Sequence, residues 1–256
     1  MTNIEKYYNK FNEDHRLTTR HGTVEFSCTM HHIKQAIGER TGLNIADIGC
    51  GTGRYSIELS ALGHNLTAVE LVKRNLDVLR NKHLKIKTWQ GNALDLSFLE
   101  EGKFDITLCF GPMYHLHTQQ ERETVIQQLK RITKPGGLIF IAYILNENAI
   151  IRYCFGENKI KECIEKGFLT SDFKTITQPD DLYSYVRLED INELQKKSGL
   201  DRVKIFSQEG AADYMRKELN AMDTETFNHF IEYTIAISER PELLGAGTHI
   251  VDVLRQ

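Results

Sequence analysis

The sequence predicts an α/β fold, a mainly parallel, doubly wound sheet with a helical cap over its mouth. Three observations predict it. Short apolar runs alternate with amphipathic helical periods from Ile45 to Ile144, the rhythm of right-handed strand–helix–strand units. The first run leads into NIADIGCGTGR, residues 44–54, where Gly49, Gly51 and Gly53 alternate with single residues before a helix. The second run ends on a carboxylate, Glu70. A strand that breaks into alternating glycines lets a ligand lie against bare backbone at the carboxyl edge of a parallel sheet. A side chain at any of the three glycines is expected to fill ligand volume or to demand forbidden backbone angles.

Residues 1–43 read as two or three short helices, with Ile33, Ala36 and Ile37 at helical spacing. Tyr7, Tyr8, Arg16, Arg20 and His21 are too polar for a core, and form either a flap over a ligand or a solvated terminus. Ile45–Ile48 is the first strand. Tyr55, Ile57, Leu59 and Leu62 make one helix stripe closed by Gly63. Residues 65–71 form the second strand, and Val72, Leu76 and Leu79 mark the next helix. Residues 84–89 form the third strand, and 104–110 the fourth, followed by GPMYHL. Val125, Ile126, Leu129 and Ile132 line a helix, and Lys134-Pro135-Gly136-Gly137 turns into the fifth strand, 138–144. The rhythm then breaks. Residues 146–187 read as a cap insertion, helical near 150–168 and then polar and β-like. A core helix follows at 188–197, a strand at 202–207, a helical insertion at 211–239 and a closing strand at 249–254. The expected organisation is a flap (1–43), a ligand-binding core (44–145), the cap (146–187) and completion of the sheet (188–256), all in one structural domain.

The 256 residues include 26% charged and 41% hydrophobic, with a net charge of −3, ordinary for a soluble globular chain. No basic run suggests nucleic acid. No apolar run approaches the roughly 20 residues of a membrane helix. The polar, acidic start reads as neither a secretory nor a transit signal. Five cysteines, at 28, 50, 109, 154 and 163, form no CxxC pair and suit reduced thiols in the cytoplasm. Cys28 with His31 and His32, or His115 with His117, lacks the spacing of a zinc site, so no metal is expected.

Glu70 at a strand end can accept two hydrogen bonds from a ribose diol. A dinucleotide motif needs G-x-G-x-x-G, but here the last glycine falls one residue early and Arg54 stands in its place. A Walker loop is excluded because no Gly-Lys-Ser/Thr follows. A ribose, a base and a compact aminoacyl group fit better than two phosphates.

DIGCGTG with Glu70, then GNALDL, FDITLCF and KPGG, resembles the class I S-adenosylmethionine-dependent methyltransferases. The resemblance covers roughly residues 40–145 and a strand pair near 202–208 and 247–255. GPMYHL and RPELLGAGTHIVDVL further resemble a bacterial group of small methyltransferases acting on small molecules. The resemblance implies a Rossmann-like sheet of seven strands, order 3-2-1-4-5-7-6 with strand 7 antiparallel, and S-adenosyl-L-methionine as cofactor. It implies that Asp47, Gly49 and Gly51 line the methionine part, with Cys50 and Gly53 completing the turn. Glu70 would hold the ribose, Leu71 pack on the adenine, and Asn92 and Ala93 meet its edge. Phe110 and Gly111 would flank the methionine amino group. Relatives often carry Asp at the place of Asn92, so an amide oxygen would read the adenine amino group here. Arg20, on the flap, is a further candidate cofactor contact.

A sulfonium is a good leaving group, so orientation and water exclusion can supply about 7–11 kcal/mol, and a base is needed only for a protonated nucleophile. His115, just past the fourth strand, is a candidate base or a purely orienting group. Tyr114 could orient the acceptor or wall the sulfonium. Tyr143, Arg152, Tyr153 and Tyr214 are candidates for the acceptor pocket. The expected partner is a small-molecule acceptor methylated at N or O, by a monomer or homodimer with neither nucleic acid nor membrane bound. Alternatives are an RNA or protein methyltransferase, a non-catalytic binding module, and a nicotinamide-dependent oxidoreductase.

Overall fold

The computed structural model describes residues 3–8, 14, 18–178 and 180–256; Arg16 lies outside them. Seven strands form one sheet in the order β3-β2-β1-β4-β5-β7-β6. They are β1 (Asn44–Ile48), β2 (Asn65–Glu70), β3 (Lys87–Gln90), β4 (Phe104–Cys109), β5 (Thr133–Ile144), β6 (Asp201–Ser207) and β7 (His249–Arg255). β1 through β5 pair in parallel, and β7 is antiparallel to both β5 and β6. The expected order and the reversed last strand are therefore observed. The chain restarts from β3 on the far side of β1, at β4, and this reversal opens a crevice at the carboxyl ends of β1 and β4.

Among the described residues, the α-helices of six residues or more are α1 (Asn3–Tyr8), α2 (Arg20–Ile37), α3 (Arg54–Ala61), α4 (Lys73–Arg80), α5 (Gln119–Ile132), α6 (Ile160–Glu165), α7 (Leu188–Ser198), α8 (Arg216–Ala221) and α9 (Thr224–Ile237). Side chains alternate across each strand, so one strand feeds two cores. Ala46, Ile48, Ile139 and Ile141 pack with Val125, Leu129 and Ile132 of α5 on one face. Ile45, Leu66, Ile106, Leu108 and Phe140 pack with Ile33 and Ile37 of α2 and Leu59 of α3 on the other. A satellite cluster joins Val24 of α2 to Leu219 and Phe227, with Met215, Met222, Phe230 and Ile231 packed against it.

Five elements differ from expectation. The short helices expected before the sheet include one 18-residue helix, α2, capped by the Thr19 side chain, because it has a whole sheet face to cover. β3 begins at Lys87 rather than Leu84; it is an exposed edge whose pairing with β2 starts at Thr67–Lys87. Lys134-Pro135-Gly136-Gly137 lies within β5 as a bulge, where the register with β4 shifts between Phe104 and Ile106. The helical insertion breaks at Asp223, whose carboxylate caps α9 by accepting from Thr226 N at 2.7 Å. In the cap stretch, a π-helix covers Ala149–Phe155, α6 follows, and the β-like segment supplies isolated bridges alone.

Candidate functional site

The turn after β1 is held by its neighbour: Gly49 N and Cys50 N both donate to Val69 O, at 2.8 and 3.1 Å. Gly49, Gly51 and Gly53 take φ values of +78°, +55° and +86°, which penalise any side chain. The forbidden backbone angles are as expected, and two of the glycines also serve packing. A Cβ at Gly49 would lie 2.5 Å from Pro112 Cδ, and one at Gly53 2.4 Å from Leu79 Cδ1. These two glycines make room for Pro112 and α4. Gly49 and Gly51 edge the main cavity, while Gly53 is not in its lining.

Glu70, 7% exposed, closes β2 with both oxygens directed by backbone. Oε2 accepts from Gly51 N at 2.9 Å and Oε1 from Val72 N at 2.8 Å. The carboxylate thus ties the turn to the end of β2. A carboxylate offers about four acceptor positions, so holding the turn is compatible with meeting hydroxyl donors.

These elements border a cavity of about 650 Å³, the size of a small-molecule site. Gly49, Gly51, Glu70, Leu71, Asn92, Ala93, Phe110 and Gly111 line one end, bringing together most of the expected cofactor residues. Tyr114 and His115 line the other end, beside Tyr7 and Tyr8 of α1. A second cavity of about 250 Å³ shares Gly49, Gly51 and Phe110 and adds Asp47, Cys50 and Arg54. Asp47 is buried and accepts from Ser56 Oγ at 2.6 Å; burial pushes its carboxyl up to about 6.

Arg20 has other partners, and Asn92 lines the cavity with its amide oxygen already in one hydrogen bond. Arg20 does not line the cavity: its guanidinium sits 4.6 Å over the Phe227 ring and Nη1 donates to Leu219 O at 3.2 Å. The satellite cluster draws it away, since a stacked guanidinium covers apolar surface. The Asn92 amide oxygen, expected at the adenine edge, accepts from Leu94 N at 3.0 Å; a local Asx turn competes for it.

Beside Tyr114 and His115, α1 packs against the cavity wall. Tyr8 OH lies 3.2 Å from His115 Nε2, and Tyr7 meets the Tyr183 ring edge-on at 6.3 Å. His115 Nδ1 lies 2.8 Å from Leu182 O. A carbonyl can only accept, so Nδ1 carries the proton and Nε2 accepts from Tyr8 OH. The ring stacks on Tyr183 at 5.4 Å, and burial holds its pKa below the ordinary imidazole value. Of the other pocket candidates, Arg152 lines the cavity; Tyr143, Tyr153 and Tyr214 do not. Tyr143 is in the sheet core and Tyr153 is 47% exposed.

Sequence reasoning missed Glu25, Glu209 and His249, which line the same cavity. One ligand-type atom from each lies within 4.8 Å of the others. They come from α2, the turn after β6 and the start of β7, so no spacing could reveal them. The Cys28, His31 and His32 grouping is not a cluster of this kind. Cys28 Sγ donates to Ser207 O at 3.5 Å, and both nitrogens of His32 face other partners, Ser238 Oγ at 2.9 Å and Lys204 Nζ at 2.8 Å. All five cysteines are thiols. Among the described residues, no helix is long and apolar enough to cross a membrane.

Residues 45–137 match the methyltransferase domain family. The chain is 29% identical over 159 residues to a ubiquinone biosynthesis O-methyltransferase of Pseudomonas aeruginosa, spanning 59% of this chain and 66% of that protein. It is 26% identical over 185 residues to the enzyme of that name from Paraburkholderia phytofirmans, spanning 68% and 77%. Among solved structures, a possible histamine N-methyltransferase of Thermotoga maritima superposes with a TM-score of 0.55 at 17% identity, covering 99% of this chain and 98% of that one. The Burkholderia thailandensis 1,6-didemethyltoxoflavin-N1-methyltransferase, with bound 1,6-didemethyltoxoflavin and S-adenosylhomocysteine, superposes at 0.52 and 13% identity, covering 91% and 77%. At these identities the superpositions speak for the fold.

Proposed function

The chain belongs to the class I S-adenosylmethionine-dependent methyltransferases, and from that premise we propose that it methylates an oxygen of a small-molecule acceptor, in the cytoplasm. One observation carries this: a single cavity runs from the glycine turn and Glu70 to an aromatic- and histidine-lined end under α1. The relatives named for O-methylation support oxygen over nitrogen, and a net charge of −3 gives nucleic acid little to bind.

The residues present fit the cofactor. The left-handed glycines expose backbone on the cavity, and Glu70 stands at the strand end where a ribose diol would be met. Leu71 and Ala93 would flank the adenine, with Gly49, Gly51, Phe110 and Gly111 at the methionine end and Asp47 behind the turn. When bound, S-adenosylmethionine supplies an electrophilic methyl group on a sulfonium. The chain's part is to align the acceptor, and to exclude water through Tyr7, Tyr8 and Tyr183. His115, fixed at both nitrogens, orients the acceptor wall rather than taking its proton, and Tyr114 sets the opposing surface.

Calorimetry with S-adenosylhomocysteine and NAD side by side tests the reading. Saturable binding of the first and none of the second is expected. Folded protein that binds neither, or only NAD, overturns it.

A further inference from the structure

The cavity contains a histidine–carboxylate pair that the cofactor does not need. His249 opens β7 and pairs with Ile144 of β5. Its backbone N–H donates to Glu209 Oε1 at 2.6 Å, and its carbonyl accepts from Gln208 N at 3.0 Å. The same Glu209 oxygen accepts from Thr248 N at 2.6 Å, and Oε2 lies 3.1 Å from His249 Nδ1. Glu209 is 2% exposed. Burial and the neighbouring Glu25 push the Glu209 carboxyl up, while two backbone donors and one imidazole donor converge on it and favour its ionised form. The imidazole proton is therefore kept on Nδ1, and Nε2 is the basic nitrogen. The ring lies 5.4 Å from that of Tyr114. The carboxylate of Glu25, 5% exposed, stands within 4.8 Å of the pair.

Resting on the O-methylation reading, we propose that His249, positioned by Glu209, is the general base for a phenolic hydroxyl acceptor. Phe110, Tyr7, Tyr8, Tyr114 and Tyr183 give the cavity aromatic walls, which suit a flat ring. The hydroxyl gives its proton to His249 Nε2, while its oxygen bonds the methyl carbon and the S–C pair stays on sulfur. The resulting imidazolium is balanced by Glu209 and Glu25, two carboxylates in a low-dielectric pocket. The three residues also resemble a metal-binding set, but both oxygens of Glu209 are already accepting hydrogen bonds. These three bonds leave about one of the four acceptor positions of Glu209 for a cation.

The test uses the full chain, labelled S-adenosylmethionine and a panel of monohydric phenols and catechols, with S-adenosylhomocysteine calorimetry on every variant. H249A and H249Q are expected to bind S-adenosylhomocysteine as the unaltered protein does. They should lose roughly 100-fold to 10,000-fold in kcat, with added imidazole restoring part of the rate to H249A. E209D should retain more activity than E209Q. Nitrogen-15 imidazole spectra of the S-adenosylhomocysteine complex should show His249 protonated at Nδ1, a tautomer that E209Q loses. Near-normal turnover in both His249 variants, or an Nε2-protonated ring in the unaltered protein, overturns the base. A chelator that abolishes transfer, with a divalent cation restoring it, replaces the base with a metal site. No labelled phenol from unaltered protein that binds S-adenosylhomocysteine refutes the acceptor class, whereas absence of that binding refutes the methyltransferase reading itself.

Discussion

Gly53→Ala separates packing from ligand binding in the glycine turn. Gly53 sits at φ +86° and ψ 27° as the residue before α3. Placing an L side chain in the left-handed region costs about 1–2 kcal/mol. The new Cβ would lie 2.4, 2.9 and 3.1 Å from Cδ1, Cδ2 and Cγ of Leu79, which is 2% exposed and has little room to retreat. Overpacking of this kind costs about 1–3 kcal/mol. The sum predicts a loss of about 2–5 kcal/mol in urea unfolding. Gly53 does not line the main cavity, so the affinity of the folded fraction for S-adenosylhomocysteine, measured in the cold, should change less than about tenfold, or 1.4 kcal/mol. A double-mutant cycle with Leu79→Val should recover part of the loss, because the shorter side chain withdraws the clashing atoms. Unchanged stability with affinity reduced more than that would refute the argument and return Gly53 to the ligand.

The remaining predictions concern charge and the acceptor end. The Asp47 carboxyl is raised from 3.8 to about 6 by burial, so its ionised form costs stability, and the protein weakens as pH rises from about 4 through 6. D47N, whose amide oxygen still accepts from Ser56, should match the unaltered protein near pH 3.5 and exceed it by about 3 kcal/mol at pH 8 in urea titrations. Asp252, 1% exposed, is held by Arg202 through two bonds of 2.7 Å. R202M should cost about 3–5 kcal/mol by stranding a buried charge, and R202M/D252L should recover most of it in thermal melts. His115→Ala should leave S-adenosylhomocysteine affinity intact and reduce turnover less than H249A does, with KM for the acceptor rising; equal losses in kcat for the two would assign the proton to His115. Tyr7→Ala with Tyr8→Ala should raise KM without altering cofactor affinity, since α1 meets Tyr183 and His115.

Local order alone determined the sheet core and the glycine-turn end of the cavity. The apolar runs, the glycine turn and Glu70 lie within one strand–helix–strand stretch, where a few bonds of the backbone dictate who meets whom. Even there, the sequence could not say that Gly49 yields to Pro112 and Gly53 to Leu79, because those neighbours are distant along the chain. Nor could it say that Arg20 stacks on Phe227 or that Asn92 turns back on Leu94; each polar group has several partners within reach, and packing selects one. The pair Glu209 and His249 was illegible for a stronger reason. Antiparallel β7 inserts between β5 and β6 and carries His249 to the turn that bears Glu209, while α2 delivers Glu25 from nearly two hundred residues earlier. Spacing records neighbours along a helix or strand, whereas the acceptor end is built from elements that touch only after the sheet has closed.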